Sequence, residues 1–323
     1  CIRDRFKDET ICRQFFVAAR WPAGRICPHC SFNVSYEIKV KGPYVDRYEC
    51  KRCKRHFTVT TKTALHSTKL PLRKWIQAMY LIVSSSKGIS SVVLARLIGV
   101  RQPTAWRMGH VIRKMMDPNR SDAGMLQGIV ELDEKYVGGT PQRKPGVVHK
   151  RGKGTSKQWV LIAVERHGPV RAVPVENEKV ATLQPIIDRT IDKKAHLMSD
   201  SHRSYIHIGQ QFLNHSHVNH SLREYSRGNV HCNTAESFSS LFERARMGVF
   251  HYFSGKHLSR YLNEFSFRWE HRVPVEKITK SGKKKIQMKP IPFMDMLFLL
   301  IMRCSGVHLR RTKQWGIQDI AFC

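Results

Sequence analysis

Three acidic residues occupy positions from which one metal site can use all of them. Asp133 ends an apolar run that begins at Gly128, Asp200 follows another apolar run, and Glu236 lies within a helical pattern. Carboxylate oxygens suit Mg²⁺ and Mn²⁺, and two such ions can activate an oxygen nucleophile and neutralise the charge developing at a phosphodiester. Asp133, Asp200 and Glu236 are therefore predicted to be catalytic and to bind two of these ions, although a single acid is more often a capping or surface residue.

Neighbouring acids and several histidines offer alternative ligands. Because successive side chains of a strand point to opposite faces, Glu131 is expected to share the face of Asp133, and Glu134 to point away. Asp133 is therefore preferred, with Glu131 in a supporting position. A histidine-containing nuclease site is the competing interpretation, and its candidates are His202, His215, His217, His220 and His231.

The elements that must position these acids follow a mixed α/β pattern. Strands are predicted at 128–133, 159–164, 170–175 and 195–198, with a short one near Val218. Helices are predicted over 180–191 and from about Asn233, where Asn233 or Thr234 is expected to cap the helix that carries Glu236. The first three strands form a meander, so the acids fall at strand ends and at one helix start.

Four cysteines form two Cys-x-x-Cys pairs with 19 residues between them: Cys27, Cys30, Cys50 and Cys53. This spacing allows four thiolates to close a tetrahedral zinc site between short hairpins. The alternative is a chance pairing of two redox motifs, but such motifs usually occur singly in a βαβ context. We therefore predict a zinc ribbon in which zinc is structural.

Helical periodicity begins at Pro71 and continues through two short segments separated by a turn at Gly99. This is the layout of a helix-turn-helix, although pairs of short helices occur in many helical domains. If it is one, its second helix presents four residues to DNA: Arg101, Gln102, Thr104 and Arg107.

The charge of the chain predicts a nucleic-acid partner. Lys and Arg number 56 against 25 Asp and Glu, a net charge of +31 over 323 residues. Basic residues recur in every segment, which favours a polyanion over the single juxtamembrane cluster of a membrane-binding protein. The N-terminal segment does not resemble a signal peptide. The longest apolar run of the chain, Met296–Met302, is too short to span a bilayer, so a cytoplasmic location without membrane attachment is expected.

Several motifs, in order, resemble bacterial insertion-sequence transposases. They are Arg20–Gly24 leading into the first cysteine pair, then 132–139 (LDEKYVGG), 199–205 (SDSHRSY), 231–238 (HCNTAESF) and 248–268. More narrowly, the chain resembles insertion-sequence family fifteen-ninety-five, the zinc-ribbon group of DDE transposases related to eukaryotic Merlin elements and carrying an ISXO-type domain.

This resemblance implies a ribonuclease H-like catalytic core with Asp133, Asp200 and Glu236 as its metal-binding triad. It also implies a nucleoid-associated enzyme that cleaves transposon ends at terminal inverted repeats and joins the liberated 3′-OH to target DNA, as a homo-oligomer on DNA. The expected domains are the ribbon over residues 1–66, the helix-turn-helix region over 67–120, the catalytic core over 121–272, and a basic loop with a helical tail over 273–323.

Three positions depart from the family pattern. Glu243 stands seven residues after Glu236, where such transposases carry a basic residue, and Arg244 and Arg246 are expected to point elsewhere. Ser239 and Glu270 also replace residues typical of the family. Two alternatives to a transposase therefore remain: a sequence-specific DNA-binding protein with an impaired core, and a nuclease without strand transfer.

Overall fold

The computed structural model describes residues 2–39, 46–119, 123–138, 157–219, 222–279, 282, 284–307, 309–311 and 317–319. The chain divides into two compact units. The first comprises Cys1–Met116 and Ile291–Cys323, and the second comprises Asp117–Pro290.

The first unit begins with two helices and a small sheet. Helices α1 (Ile2–Arg5) and α2 (Glu9–Arg20) precede three short strands, β1 (Ser35–Glu37), β2 (Tyr48–Cys50) and β3 (His56–Phe57). The strands pair antiparallel in the order β1-β2-β3. This is the predicted ribbon, and a sheet this small buries few side chains, so it depends on additional restraints.

Three further helices follow the ribbon: α3 (Leu72–Ser84), α4 (Ser91–Ile98) and α5 (Gln102–Met115). The Ser90 hydroxyl caps α4 by accepting from the amide of Val93 at 3.3 Å. Gly99 ends α4 with a φ of 64°, a left-handed conformation that glycine adopts without steric cost. The predicted pair of helices joined by a turn is therefore present.

The second unit contains a five-stranded mixed sheet. Its strands are β4 (Ile129–Val137), β5 (Gln158–Glu165), β6 (Val170–Val175), β7 (His196–Asp200) and β8 (Asn214–Val218). They lie in the order β6-β5-β4-β7-β8, with β4, β5 and β6 antiparallel and β7 and β8 parallel to β4. This is a ribonuclease H-like sheet, as predicted.

Helices cover both faces of this sheet. They are α6 (Val180–Thr190), α7 (Arg203–Gly209), α8 (Asn233–Ala245) and α9 (Gly255–Glu270), and a π-helical turn, Arg246–Phe250, follows α8. Alternate residues of β5 divide between two cores: Val160 and Ile162 belong to the cluster with α8 and α9, Leu161 and Ala163 to the cluster with α6. Burying each large apolar side chain contributes about 1.5–3 kcal/mol, so the first of these cores holds α8 against β4 and β5.

The basic stretch after residue 272 corrects one prediction. Instead of a flexible loop, β9 (Arg272–Ile278) and β10 (Lys284–Pro290) pair antiparallel and belong to the second unit. Apolar residues recur at every second position, Val273 and Val275 in β9 and Ile286 and Met288 in β10, in a strand-like pattern that the high lysine content obscured. Lys283 lies outside the described residues.

The chain returns to the first unit with α10 (Phe293–Met302), which packs against α2 and α3. Two short antiparallel strands follow, β11 (Leu309–Arg311) and β12 (Ile317–Asp319). In the part of the chain that the structure describes, no helix combines the length and apolar character that crossing a membrane requires.

Candidate zinc and catalytic sites

The four predicted cysteines meet in the ribbon. The Sγ atoms of Cys27 and Cys53 are 3.7 Å apart, and those of Cys30 and Cys50 are 3.6 Å apart. All four Sγ atoms lie within 4.8 Å of one another. Tetrahedral zinc with Zn–S bonds of about 2.3 Å requires S···S separations of about 3.8 Å, so the donor set fits zinc.

A small aromatic cluster supports the ribbon. The rings of Trp21, Tyr48 and Phe57 pack with centroid separations of 5.5–5.9 Å. Arg25 lies over Tyr48, with its guanidinium carbon 4.4 Å from the ring centroid. These three rings form a minimal apolar core for the ribbon, and the four thiols provide a second set of contacts that can stabilise it by binding zinc.

The sheet register brings two of the predicted acids to adjoining strand ends. In the parallel pairing of β4 with β7, Ile129 lies opposite His196 and Glu131 opposite Met198. Continuing this register by two residues leads to Asp133 and Asp200. Asp200 ends β7, and its Oδ1 accepts from the amide of His202 at 3.0 Å.

The third acid is carried by α8, and Glu131 attaches the start of that helix to β4. The fully buried Glu131 carboxylate accepts from the amides of Thr234 at 2.7 Å and Ala235 at 3.1 Å. Arg166 Nε donates to the same carboxylate at 2.6 Å. The prediction that Asn233 or Thr234 caps α8 is wrong, because a carboxylate from the sheet takes that role.

Asp133 lies between α8 and the end of β7. Ser239 Oγ donates to its Oδ2 at 3.2 Å. Burial, together with the charges of Glu236 and Asp200, raises the pKa of Asp133 to about 6, and the Ser239 hydroxyl acts in the opposite direction. The three predicted acids are thus close enough for their charges to act on one another.

These carboxylates do not converge as the cysteines do. Within the described ranges, the cysteine quartet is the only group of three or more His, Cys, Asp or Glu side chains whose ligand atoms all lie within 4.8 Å. Glu236 is solvent-exposed on the first turn of α8, whereas Asp133 is half-buried. The acids form an open group with access from solvent.

Glu134, set aside on strand alternation, points to the opposite face of the sheet, as expected. It lies beside Tyr205 of α7, yet neither Glu134 Oε2 nor the Tyr205 hydroxyl completes a well-formed hydrogen bond. Burial, together with the charges of Asp200 and Asp133, raises the pKa of Glu134 to about 7, and the neighbouring Tyr205 hydroxyl acts in the opposite direction. Sequence reasoning did not predict this pair. The indication available in the sequence was that Glu134 and Tyr205 lie in two of the family-like motifs, 132–139 and 199–205.

The histidines have other partners. His231 Nδ1 lies 3.0 Å from Arg166 Nη2, and His215 Nε2 lies 2.9 Å from Ser199 Oγ. His202 Nε2 lies 3.3 Å from a Glu178 carboxylate oxygen. None of the described histidines joins a cluster of metal ligands, and His220 lies outside the described residues.

Glu243 is paired, contrary to expectation. Arg246 Nε donates to Glu243 Oε1 at 2.9 Å. This hydrogen bond lowers the pKa of Glu243 and raises that of Arg246, and the charges of Lys135 and Lys157 also lower the pKa of Glu243. The expectation that Arg246 points elsewhere is wrong, because residues three apart are neighbours on a helix surface.

The candidate DNA-reading residues lie at the start of α5. Arg101, Gln102 and Arg107 are exposed, and Thr104 is half-buried. Gln102 Nε2 donates to Ser91 Oγ at 2.8 Å, which links the two helices of the motif. The exposed side chains share the N-terminal half of α5, the part of a recognition helix that contacts base edges.

Comparisons with known proteins identify two segments. Residues 125–270 match the family profile of the ISXO2-like transposase domain, and residues 7–56 match that of the transposase zinc-ribbon domain. A Halobacterium salinarum protein described as "Uncharacterized protein in transposable element ISH50" is 28% identical over 283 residues, covering 82% of this chain and 92% of that relative.

Two solved structures show weaker similarity. A pre-cleavage Mos1 transpososome has a TM-score of 0.27, and a Mos1 transposase paired-end complex with the left transposon end has a TM-score of 0.26. Both are 13% identical; the alignments cover 60% and 61% of this chain, and 73% and 74% of theirs. The fold assignment rests on strand order and direction. By its two family matches, the chain belongs to the insertion-sequence transposases that combine a zinc ribbon with an ISXO2-like transposase domain.

Proposed function

We propose that this transposase binds the terminal inverted repeats of its element, cleaves DNA there and transfers the liberated 3′-OH to target DNA. Asp133, Asp200 and Glu236 are its catalytic acids. The observation that carries the proposal is the placement of Asp133, half-buried on β4 where the β4–β7 register leads to Asp200, with the charges of Asp200 and Glu236 acting on it. Mutual repulsion of this kind is relieved by a divalent cation.

The donor set suits Mg²⁺ or Mn²⁺, because all three ligands are carboxylates on rigid elements. Two such ions would supply an activated oxygen nucleophile and neutralise the charge on the reacting phosphate. The chain's own contribution is positioning: Ser239 holds Asp133, the His202 amide holds Asp200, and Glu131 anchors the helix that carries Glu236.

Recognition of the ends is assigned to the first unit. The exposed residues Arg101, Gln102 and Arg107, with Thr104, contact bases from α5, and the basic surface supplies phosphate contacts. Bringing two ends together requires at least two copies of the protein on DNA. The ribbon zinc is structural, since its four ligands complete a tetrahedron and leave no open position.

The test uses the full chain and a duplex carrying the element's terminal repeats. Cleavage should require Mg²⁺ or Mn²⁺ and fall to background in Asp133→Asn, Asp200→Asn and Glu236→Gln, while binding to the ends persists. Asp188→Asn is the matched control, because Asp188 is an exposed carboxylate on α6 of the same unit.

Other outcomes identify the alternatives. Specific binding without cleavage under either metal would indicate a DNA-binding protein with an impaired core. Cleavage without joined products, measured by sequencing the reaction products, would indicate a nuclease. Unchanged cleavage in all three acid variants would reject the assignment of the triad.

A further inference from the structure

A second concave site lies in the same unit, beside α8. Its volume is about 610 Å³, within the range of about 300–1,000 Å³ typical of ligand pockets. The side chains that matter most are Arg166, Asn233, Ser237, Arg244, Trp269 and Arg272, and we call this site the α8 groove. No Asp or Glu is among the described residues that line it.

The α8 groove lies on a different flank of α8 from the catalytic acids. With 3.6 residues per turn, Asn233, Ser237 and Arg244 share one side of the helix, and Glu236 and Ser239 lie on another. The apolar face of α8, which includes Phe238 and Phe242, packs into the core. One helix thus presents a carboxylate flank and a cationic flank.

Two of the three groove arginines lack a carboxylate partner among the described residues. Arg166 is neutralised by Glu131, with Nε 2.6 Å from the carboxylate. Arg244 is exposed. Arg272 lies over the Trp269 ring at 3.6 Å from its centroid, and its Nε donates to the Trp269 carbonyl at 3.0 Å. Burial lowers the pKa of Arg272 to about 10, so its charge is incompletely solvated.

This arrangement favours an anion with several oxygen acceptors. Arginine forms forked hydrogen bonds with phosphate, and a guanidinium stacked on an indole keeps its outer N–H groups directed away from the ring. Asn233 and Ser237 are exposed at the groove; the Asn233 amide adds a neutral donor, and the Ser237 hydroxyl, which donates to the Asn233 carbonyl at 2.7 Å, adds a small polar surface. The apolar part of the lining, Trp269 with Leu241, suits a sugar better than a second charge.

We propose that the α8 groove binds the sugar-phosphate backbone of a DNA strand, with the phosphate on Arg244 and Arg272. This inference rests on the proposed function for the identity of the polyanion. The groove does not read sequence, since its donors are phosphate-binding arginines and small polar side chains. It holds a strand on one side of α8, and the other side carries Glu236.

The first test measures the salt dependence of DNA affinity by fluorescence anisotropy, with the full chain and an arbitrary-sequence duplex. Each phosphate contact contributes about 0.9 to the slope of log K against log salt concentration. Arg244→Gln should therefore reduce the slope by about 0.9, and Arg244→Gln with Arg272→Gln by about 1.8. Arg189→Gln is the matched control, because Arg189 is an exposed helical arginine of the same unit outside the groove.

The second test locates the DNA by photo-crosslinking. A benzophenone amino acid at Ser237, inside the groove, should crosslink to the duplex more strongly than the same amino acid at Leu213, which is 73% exposed and outside the groove. Thermal unfolding of the Arg272→Gln variant shows whether it is folded. If it is not, the salt-dependence test uses the Arg244→Gln variant alone.

A slope for Arg244→Gln equal to that of Arg189→Gln, or equal crosslinking at the two positions, would overturn the proposal. Both readouts are binding measurements and do not require cleavage. Failure of the triad variants to abolish cleavage therefore rejects the catalytic assignment without affecting this test.

Discussion

The zinc ribbon and the carboxylate site assemble ligands in opposite ways. The ribbon takes its four thiols from one short stretch, residues 27–53, and brings them to the separations that tetrahedral zinc requires. The carboxylate site draws Asp133, Asp200 and Glu236 from two strands and a helix, and leaves them farther apart. The first site is closed and local, whereas the second is open and assembled by the fold.

The difference lies in what surrounds the ligands. The cysteines stand on short turns beside a minimal aromatic cluster, so the metal itself must stabilise the ribbon. The acids stand on elements that two hydrophobic cores and the Glu131–Arg166 ion pair already hold in place. A site built in this way keeps its geometry without metal and retains room for a substrate.

The strongest test of this contrast is removal of the ribbon metal. Zinc binding in zinc-finger peptides contributes about 10–16 kcal/mol, so chelation or Cys27→Ser should unfold the ribbon. Hydrogen exchange should show loss of amide protection in the ribbon, with the second unit unchanged. Cys12→Ala, a buried cysteine of the same unit outside the cluster, is the control. Full protection after chelation would contradict a structural role for zinc.

The second test concerns the buried ion pair that anchors α8. Glu131→Gln leaves the Arg166 charge unpaired and weakens the cap of α8, so the free energy of unfolding should fall by about 3 kcal/mol. Native-state hydrogen exchange of the α8 amides measures this loss. The control is Glu276→Gln, which breaks an exposed ion pair with Lys284 and should change nothing measurable. Equal free energies of unfolding for the two variants would show that Glu131 does not anchor α8.

A smaller effect is expected at Ser239. Ser239→Ala removes the hydrogen bond to Asp133 at a cost of about 1 kcal/mol, which corresponds to about a fivefold slower cleavage. Single-turnover cleavage rates measure the effect. Ser240→Ala is the control, since Ser240 is exposed on the same helix and has no such bond among the described contacts. Equal rates for the two variants would show that Ser239 does not help to position Asp133.

The smallest effect is expected at Glu243. Its pairing with Arg246 already offsets its charge, so Glu243→Lys should not increase cleavage. A double-mutant cycle with Glu243→Gln and Arg246→Gln should give a coupling of about 0.5 kcal/mol in unfolding experiments. A several-fold gain in cleavage by Glu243→Lys would show that the pair does not shield DNA from this carboxylate.

Local pattern predicted much of the fold. The cysteine spacing, the alternation of β5 and β6 and the Ser90 and Gly99 signals of α4 each depend on a few consecutive residues, and the structure has them. The β9–β10 hairpin was missed because its alternation is weak and interrupted by lysines. Strand alternation also placed Glu131 and Glu134 on opposite faces of β4 correctly.

The sequence by itself determined the zinc ligands, the order of the elements, the excess of positive charge and the acids worth testing. Only the tertiary structure decided that Glu131 caps α8, that Ser239 contacts Asp133, and that Arg244 and Arg272 line one groove. The physical reason is separation along the chain. Periodicity and spacing report neighbours within a turn or a strand, whereas contacts between residues 100 or more positions apart depend on sheet register and helix packing.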